Sequence, residues 1–348
     1  MLTLFTCPKA FQGHVGRIQQ QAIRSWQRLG AEVEVLLVGD DPGVGEFARS
    51  LGVRHVPAVE RTPAGVPLVS SVFERGAQYA SNQTLMYVNA DIMLFPGLLE
   101  AVRECMRFKR WLMVGRRWNL DLKEAERCQV SGVRSECVVG SAISRLKPDT
   151  RHLVSQIIIQ KSEVGSQETA TGNSYSSTSN EPPTTNHVCR SWLDTLKAKA
   201  IPGTDAALDY FAFPKGLWGS LPPFTLGRFS WDNWLPWEAR RRKACLIDAS
   251  ERVFVVHLNH GYSPTGQATE QSARETPESI DNQGLAGGHL YDLTDCSRRL
   301  TGDGVRVTRD AEHVGCRIRR LKERHPGLWR CLLSWRLRYA VCALFPDL

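Results

Sequence analysis

Leu85-Met86-Tyr87-Val88-Asn89-Ala90-Asp91-Ile92-Met93-Leu94 is the stretch on which the fold turns. Four apolar residues run into Asn89-Ala90-Asp91 and apolar character returns at once, the pattern of a buried strand whose carboxyl end delivers Asn89 and Asp91 to a surface. By itself a carboxylate at a strand end is as well explained by capping of the next turn. Its meaning depends on what surrounds it.

Upstream, strand and helix signals alternate from the first residues. Leu2 to Thr6 reads as a strand, Arg17 to Leu29 as a helix closed by Gly30, and Val33 to Val38 as a second strand ending in Gly39-Asp40-Asp41-Pro42-Gly43. Val44 to Leu51 is a helix, Val53 to Val56 a short strand, and Leu68 to Ala80 a helix that leads into the Leu85 strand. This βαβαβαβ order predicts an α/β fold with a mostly parallel sheet flanked by helices. Such sheets bind ligands outside the carboxyl ends of their strands. The candidate positions are therefore Thr6 to Lys9, Gly39 to Asp41, and Asn89 to Asp91.

Downstream, Val154 to Ile159 could be a strand, and Ser162 to Asn186 is so rich in Ser, Thr, Gly, Asn and Glu that it reads as a disordered insertion. Order is expected again at Asp209-Tyr210-Phe211-Ala212-Phe213-Pro214, through Trp231 to Trp237, and in the strand Val253 to His257. Leu328 to Phe345 interleaves Trp329, Trp335 and Tyr339 with Arg330, Arg336 and Arg338. It reads as a basic amphipathic helix that either touches a membrane surface or packs on the domain with its arginines outward.

The 348-residue chain, 42% apolar and 23% charged, is long enough for a full hydrophobic core. Its formal charge of +8 gathers in part at Arg317, Arg319, Arg320, Lys322 and Arg324 rather than on a face interleaved with aromatics, which argues against nucleic acid as a partner. The ten cysteines show neither a CxxC pair nor a Cys/His ligand grouping. No signal peptide or apolar run of spanning length is apparent, so a cytoplasmic protein, soluble or peripheral to a membrane, is the expectation.

Phe5-Thr6-Cys7-Pro8-Lys9, Ala22-Ile23-Arg24-Ser25-Trp26, the Gly39-Asp40-Asp41 turn and Tyr87-Val88-Asn89-Ala90-Asp91-Ile92 together, in this order, resemble GT-A glycosyltransferases of the family 2-like superfamily. The resemblance covers Met1 to Glu126 and Gly203 to Gly288. It implies a nucleotide-sugar-binding half at 1–150, a flexible polar insertion at 151–200, an acceptor-binding half at 201–295 and a basic tail at 296–348. In that superfamily an Asp-x-Asp motif holds Mn²⁺ or Mg²⁺ against the donor diphosphate. Asp91 matches its second carboxylate, whereas Asn89 replaces the first and carries no charge. The resemblance further implies that Thr6, Pro8, Lys9, Asp40, Asp41 and Asn89 line the nucleotide-sugar pocket.

Three further groups follow from the same likeness. Asp232, within Ser230-Trp231-Asp232-Asn233-Trp234, matches the general base that deprotonates an acceptor hydroxyl, with Trp231 and Trp234 stacking on sugar and Asp209 touching acceptor or donor. The alternative for these residues is a helix cap among core tryptophans. His257, and after it His260, would complete the metal shell at the exit of the Val253 strand. Asn282 to Gly288 reads as a glycine-bearing loop closing the site. The expected activity is glycosyl transfer from a nucleotide-diphosphate sugar to a hydroxyl of a carbohydrate, lipid or other acceptor. The rival is a non-catalytic protein of the same fold that binds the nucleotide sugar or a carbohydrate. A nucleotidyltransferase would carry a glycine-rich loop where Cys7-Pro8-Lys9-Ala10-Phe11 stands, and a glycoside hydrolase would need paired carboxylates that sequence cannot place.

Overall fold

The computed structural model describes residues 1–126, 193–260, 269–332 and 334–346. The Val154 to Ile159 run and the Ser162 to Asn186 stretch lie outside the described residues.

The amino-terminal elements form where the hydrophobic pattern puts them. Strand β1 (Leu2–Thr6) is buried along its length, helix α1 spans Gly13–Gln27, and β2 is Val33–Val38. Helix α2 (Val44–Leu51) is bracketed by Gly43 and Gly52, both in the left-handed region that glycine enters without a Cβ penalty. Strand β3 (Arg54–Val56), helix α3 (Val69–Tyr79) and strand β4 (Thr84–Val88) complete the alternation. Gly76 is required in α3, because a Cβ there would lie 2.5 Å from the Phe5 ring.

After Asp91 come β5 (Ile92–Leu94), α4 (Leu98–Cys105), β6 (Trp111–Val114) and β7 (Trp118–Leu120). Beyond the gap lie β8 (Ile201–Pro202), β9 (Tyr210–Pro214), α5 (Trp231–Arg241), β10 (Cys245–Asp248) and β11 (Val255–Leu258). Helices α6 (Glu270–Arg274) and α7 (Pro277–Ala286) precede β12 (Arg298–Thr301) and β13 (Gly304–Val307). Three helices follow: α8 (Ala311–Arg324), α9 (Pro326–Cys331) and α10 (Trp335–Leu344).

The main sheet has nine strands in the order β13-β12-β10-β6-β9-β4-β1-β2-β3. It is mixed and mostly parallel: β9 runs antiparallel to β4 and β6, and β13 antiparallel to β12, while the other neighbours are parallel. The α/β architecture read from the sequence is therefore present. A smaller sheet, ordered β5-β11-β7-β8, pairs β5 antiparallel with β11 so that His257 lies opposite Ile92.

Helix α1 fixes β5 through two buried bonds. Trp26 donates its indole N–H to the Ile92 carbonyl at 2.8 Å, and the Ser25 hydroxyl accepts the Leu94 N–H at 2.9 Å. Trp26 is fully buried, so its truncation to alanine removes both the packing of a large ring and a hydrogen bond, at a cost of about 3–5 kcal/mol.

Three expectations are corrected here. Asn282 to Gly288 is not a loop: its first five residues belong to α7, whose end is closed by Gly287 in the left-handed conformation. Residues from 296 onward are not simply a tail, because β12 and β13 extend the main sheet. Leu328 to Phe345 is two helices rather than one, since the chain breaks between α9 and α10. Residues Leu122–Ala200 form a separate unit; in it 122–126 and 193–199 are helical, and Lys199 pairs with Glu124 at 2.6 Å, so the last residues of the expected flexible insertion are ordered.

Candidate metal centre and donor site

The carboxyl ends of β1, β2 and β4 meet the amino end of β9 along one edge of the main sheet, as the pairing of Val88 with Tyr210 requires. Asp91 sits on the turn leaving β4. Its carbonyl accepts the Leu258 N–H at 3.0 Å, a bond that draws the exit of β11 to this turn. Its Oδ2 lies 2.9 Å from His260 Nε2 and 3.6 Å from His257 Nε2. One ligand atom from each of the three residues lies within 4.8 Å of the others. Sequence reasoning ranked His257 ahead of His260; the structure brings both to the same carboxylate.

The electrostatics of this group follow from enclosure and charge. Burial acts to raise the Asp91 pKa, yet the two imidazoles outweigh it and hold the carboxyl well below the usual range. Asp91 Oδ1 and His257 Nδ1 are both buried and make no hydrogen bond. A buried oxygen and a buried nitrogen without partners are costly unless something else satisfies them. One carboxylate oxygen and two imidazole nitrogens form a donor set suited to a divalent transition ion such as Mn²⁺, more than to Mg²⁺, which favours all-oxygen coordination.

Asn89 does not join this group. Its side-chain amide donates to Asp209 Oδ1 at 2.7 Å, its Oδ1 accepts the Tyr87 hydroxyl at 3.0 Å, and its backbone N–H reaches the Asp209 carbonyl at 2.9 Å. The other Asp209 oxygen takes a 2.7 Å bond from Arg117, which follows β6. Asp209 is buried, so its charge depends on these two donors. The amide at 89 thus meets a carboxylate, and a second carboxylate there would face Asp209 directly.

The residues expected to line a nucleotide pocket divide. Thr6 and Pro8 are buried, and the Thr6 hydroxyl is enclosed without a partner, so neither presents a side chain to solvent as the sequence reading expected. Lys9 is exposed, and its loop is pinned by buried Gln19, which accepts the Lys9 N–H at 2.7 Å and donates to the Lys9 carbonyl at 2.9 Å. Desolvation lowers the Lys9 pKa, with the charge of Asp91 opposing and that of Arg228 adding to the shift. Asp40 and Asp41 both bond Arg61, at 2.6 and 2.8 Å. The Arg61 guanidinium holds Asp40 below its ordinary value. The Cys7 thiol is pushed up to about 12 by burial and by Asp41, and is therefore no nucleophile.

Asp232 is the second residue of α5 and accepts the N–H of Asn233 at 3.0 Å. Its pKa is raised to about 7, first by burial and then, against that backbone bond, by the neighbouring Asp209. Ser230, just before the helix, has φ of 88°, a left-handed conformation unusual for a residue with a Cβ. The tryptophans are corrected to core residues. Trp231 is 4% exposed and packs on Tyr87 and Phe211, while Trp234 packs on Phe224 and Trp237. Neither offers a free ring face for a sugar.

The Tyr87 hydroxyl registers how these groups converge. Burial raises its pKa most, and the charges of Cys7, Asp91, Asp209 and Asp232 each add to the shift. Sequence reasoning missed Gln19, Arg61 and Arg117, and read Asn282 only as the start of a loop closing the site. Buried Asn282 accepts the Thr225 N–H and donates to the Thr225 and Phe229 carbonyls at 2.8, 3.0 and 3.2 Å, fixing the approach to α5. An Asn in a run rich in Gly gives no local sign of this role.

No protein-family model matches the chain, and no curated protein matches its sequence. Among solved structures the chain is similar to glucosyl-3-phosphoglycerate synthase from Mycobacterium tuberculosis in complex with Mn²⁺, UDP and phosphoglyceric acid, with 13% identity, 84% of this chain and 80% of that one covered, and a TM-score of 0.40. It is also similar to a S. aureus TarS structure, with 12% identity, a TM-score of 0.27 and about a third of each chain spanned, 34% of this one and 36% of that one. A third similarity is to 4-diphosphocytidyl-2C-methyl-D-erythritol synthase from Anaerococcus prevotii, at 8% identity, covering 34% of this chain and 55% of that chain, with a TM-score of 0.26.

Proposed function

We propose that the chain is a GT-A glycosyltransferase that moves a sugar from a nucleotide-diphosphate donor to an acceptor hydroxyl. The observation that carries this reading is the Asp91, His257 and His260 group beside Lys9 at the carboxyl edge of the sheet, with a buried carboxylate oxygen lacking any partner. Asp91, His257 and His260 would hold a divalent ion, which when bound would supply positive charge to stabilise the departing diphosphate.

The chain's own residues supply the rest. Lys9 places a second positive charge near Asp91, where the leaving group's negative charge develops. Asp40 and Asp41, oriented by Arg61, face the nucleoside, where carboxylates accept hydrogen bonds from ribose hydroxyls or base N–H groups. Asp232 takes the proton from the acceptor hydroxyl as its oxygen attacks the anomeric carbon. A carboxyl poised at about 7 can be ionised at neutral pH and still hold that proton. Arg117 and Asn89 hold the Asp209 carboxylate in place through one hydrogen bond to each of its oxygens.

A thermal-shift screen of UDP- and GDP-sugars with and without Mn²⁺, followed by donor-hydrolysis assays on every binder, tests the proposal. Metal-dependent stabilisation by one donor and its turnover support transfer. Binding with neither hydrolysis nor transfer, across acceptors, gives the chain instead to the non-catalytic binding class. No stabilisation by any nucleotide sugar removes both.

A further inference from the structure

The last three helices leave an apolar surface that the fold does not use. Helices α8, α9 and α10 share a small core of Val314, Ile318, Leu321, Leu332 and Cys342, against which Tyr339, Val341 and Ala343 pack. That core takes up one side of α10. On the other side Leu337 is 48% exposed and Leu344 68%; Trp335, one turn before Tyr339 on the same face as it, is 61% exposed, and Phe345 beyond the helix is 58% exposed. A surface helix ordinarily turns polar residues outward, but α10, with the sequence WRLRYAVCAL, is apolar on both sides apart from two arginines.

The surroundings of this surface are basic. Arg319, Lys322, Arg330 and Arg336 are all exposed on the same three helices, and across 311–346 the only carboxylates are Glu312 and Glu323. Arg338 lies over the Trp329 ring at 3.6 Å and Trp335 stacks on Tyr339 at 5.2 Å, so the aromatic groups are held rather than loose. A second copy of the chain is a poor occupant: a symmetric contact would set these cations against one another in a molecule already carrying +8. Exposed apolar side chains and exposed cations carried by the same three helices match the boundary between the acyl chains and the anionic headgroups of a bilayer.

We infer that α10 and its basic surround form a docking surface for an anionic lipid bilayer. Leu337, Leu344 and Phe345 enter the headgroup boundary while Arg319, Lys322, Arg330 and Arg336 meet lipid phosphates and carboxylates. The surface is separate from the metal group, so its test does not depend on the proposed transfer reaction.

The test is sedimentation of the full chain with vesicles of phosphatidylcholine alone and of phosphatidylcholine with about a third phosphatidylserine, at salt from about 0.1 to about 0.5 M. The inference expects binding to the anionic vesicles at least about ten-fold tighter than to the neutral ones, weakening as salt rises. Leu337→Asn with Leu344→Asn, and separately Arg319→Gln, Lys322→Gln, Arg330→Gln and Arg336→Gln together, should each weaken it by about ten-fold or more. All these positions are exposed, so melting curves and Mn²⁺ binding should be those of the unaltered chain. Equal binding to both vesicle types, or none to either, overturns the inference. So does a concentration-dependent dimer that the two leucine changes dissolve.

Discussion

Asn89→Asp would restore the Asp-x-Asp pattern that the chain lacks, and it should damage the protein rather than improve its metal site. The amide it replaces donates to Asp209 at 2.7 Å, and Asp209 is buried with Arg117 as its other partner. The new carboxylate would face that oxygen with no proton to offer. Even if the two groups relax to roughly 4 Å, their repulsion at an effective dielectric of 20 is about 4 kcal/mol. The pair escapes part of this by retaining one proton, which raises its folded-state pKa above the unfolded value near 3.9. The penalty is therefore small below about pH 4 and grows as pH rises through the pair's raised pKa. Thermal melts should show Asn89→Asp destabilised by about 2–4 kcal/mol at pH 8 and much less at pH 5. Adding Asp209→Asn, which exchanges amide and carboxylate, should recover much of the loss. An Asn89→Asp protein as stable as the parent at pH 8, or one binding Mn²⁺ more tightly, refutes the reasoning.

Asp232→Asn should lower kcat by about 10²–10⁴-fold with donor affinity nearly unchanged, as loss of a general base does; a variant that loses only binding marks the residue as structural. In the unaltered protein kcat/KM should rise with pH to a plateau with a midpoint at about 7, because the base works deprotonated. The same raised pKa means the folded state holds this proton more tightly than the unfolded one, so stability from this group falls between about pH 4 and 7. At pH 8 Asp232→Asn should then melt higher, by at most about 4 kcal/mol for a shift of roughly three units. Asp91→Ala should abolish transfer and Mn²⁺ binding while the fold survives, since the side chain is 20% exposed; unchanged turnover removes it from the site. Trp26→Ala should cost about 3–5 kcal/mol in denaturant melts, and a loss under about 1 kcal/mol would show that α1 does not anchor β5.

The sheet was legible because its amino-terminal strands are largely apolar runs: Leu2–Thr6 and Val33–Val38 fall where the pattern puts them. Asp91, His257 and His260 were legible for a related reason, each lying just past or at the end of such a run. What sequence could not show is pairing across distance. Asn89 finds Asp209 120 residues away, and Arg117 finds it 92 away, so the amide read as a nucleotide-pocket residue when it serves a neighbouring carboxylate. Trp231 and Trp234 misled because aromatics beside an aspartate look the same whether they stack on a ligand or on Tyr87 and Phe224. Strands β12 and β13 went unseen because Arg298, Arg299 and Arg306 interrupt their apolar alternation. The break between α9 and α10 hid within a stretch whose composition suits a single helix throughout.

Anomalous diffraction from a crystal of the chain soaked with Mn²⁺ and a nucleoside diphosphate tests the central claim most directly. The account predicts one strong manganese peak bonded to the Asp91 carboxylate and to the imidazoles of His257 and His260, with the diphosphate on its open side toward Lys9. Manganese bound elsewhere, or the three side chains closed on one another with the diphosphate bound away from them, would contradict it.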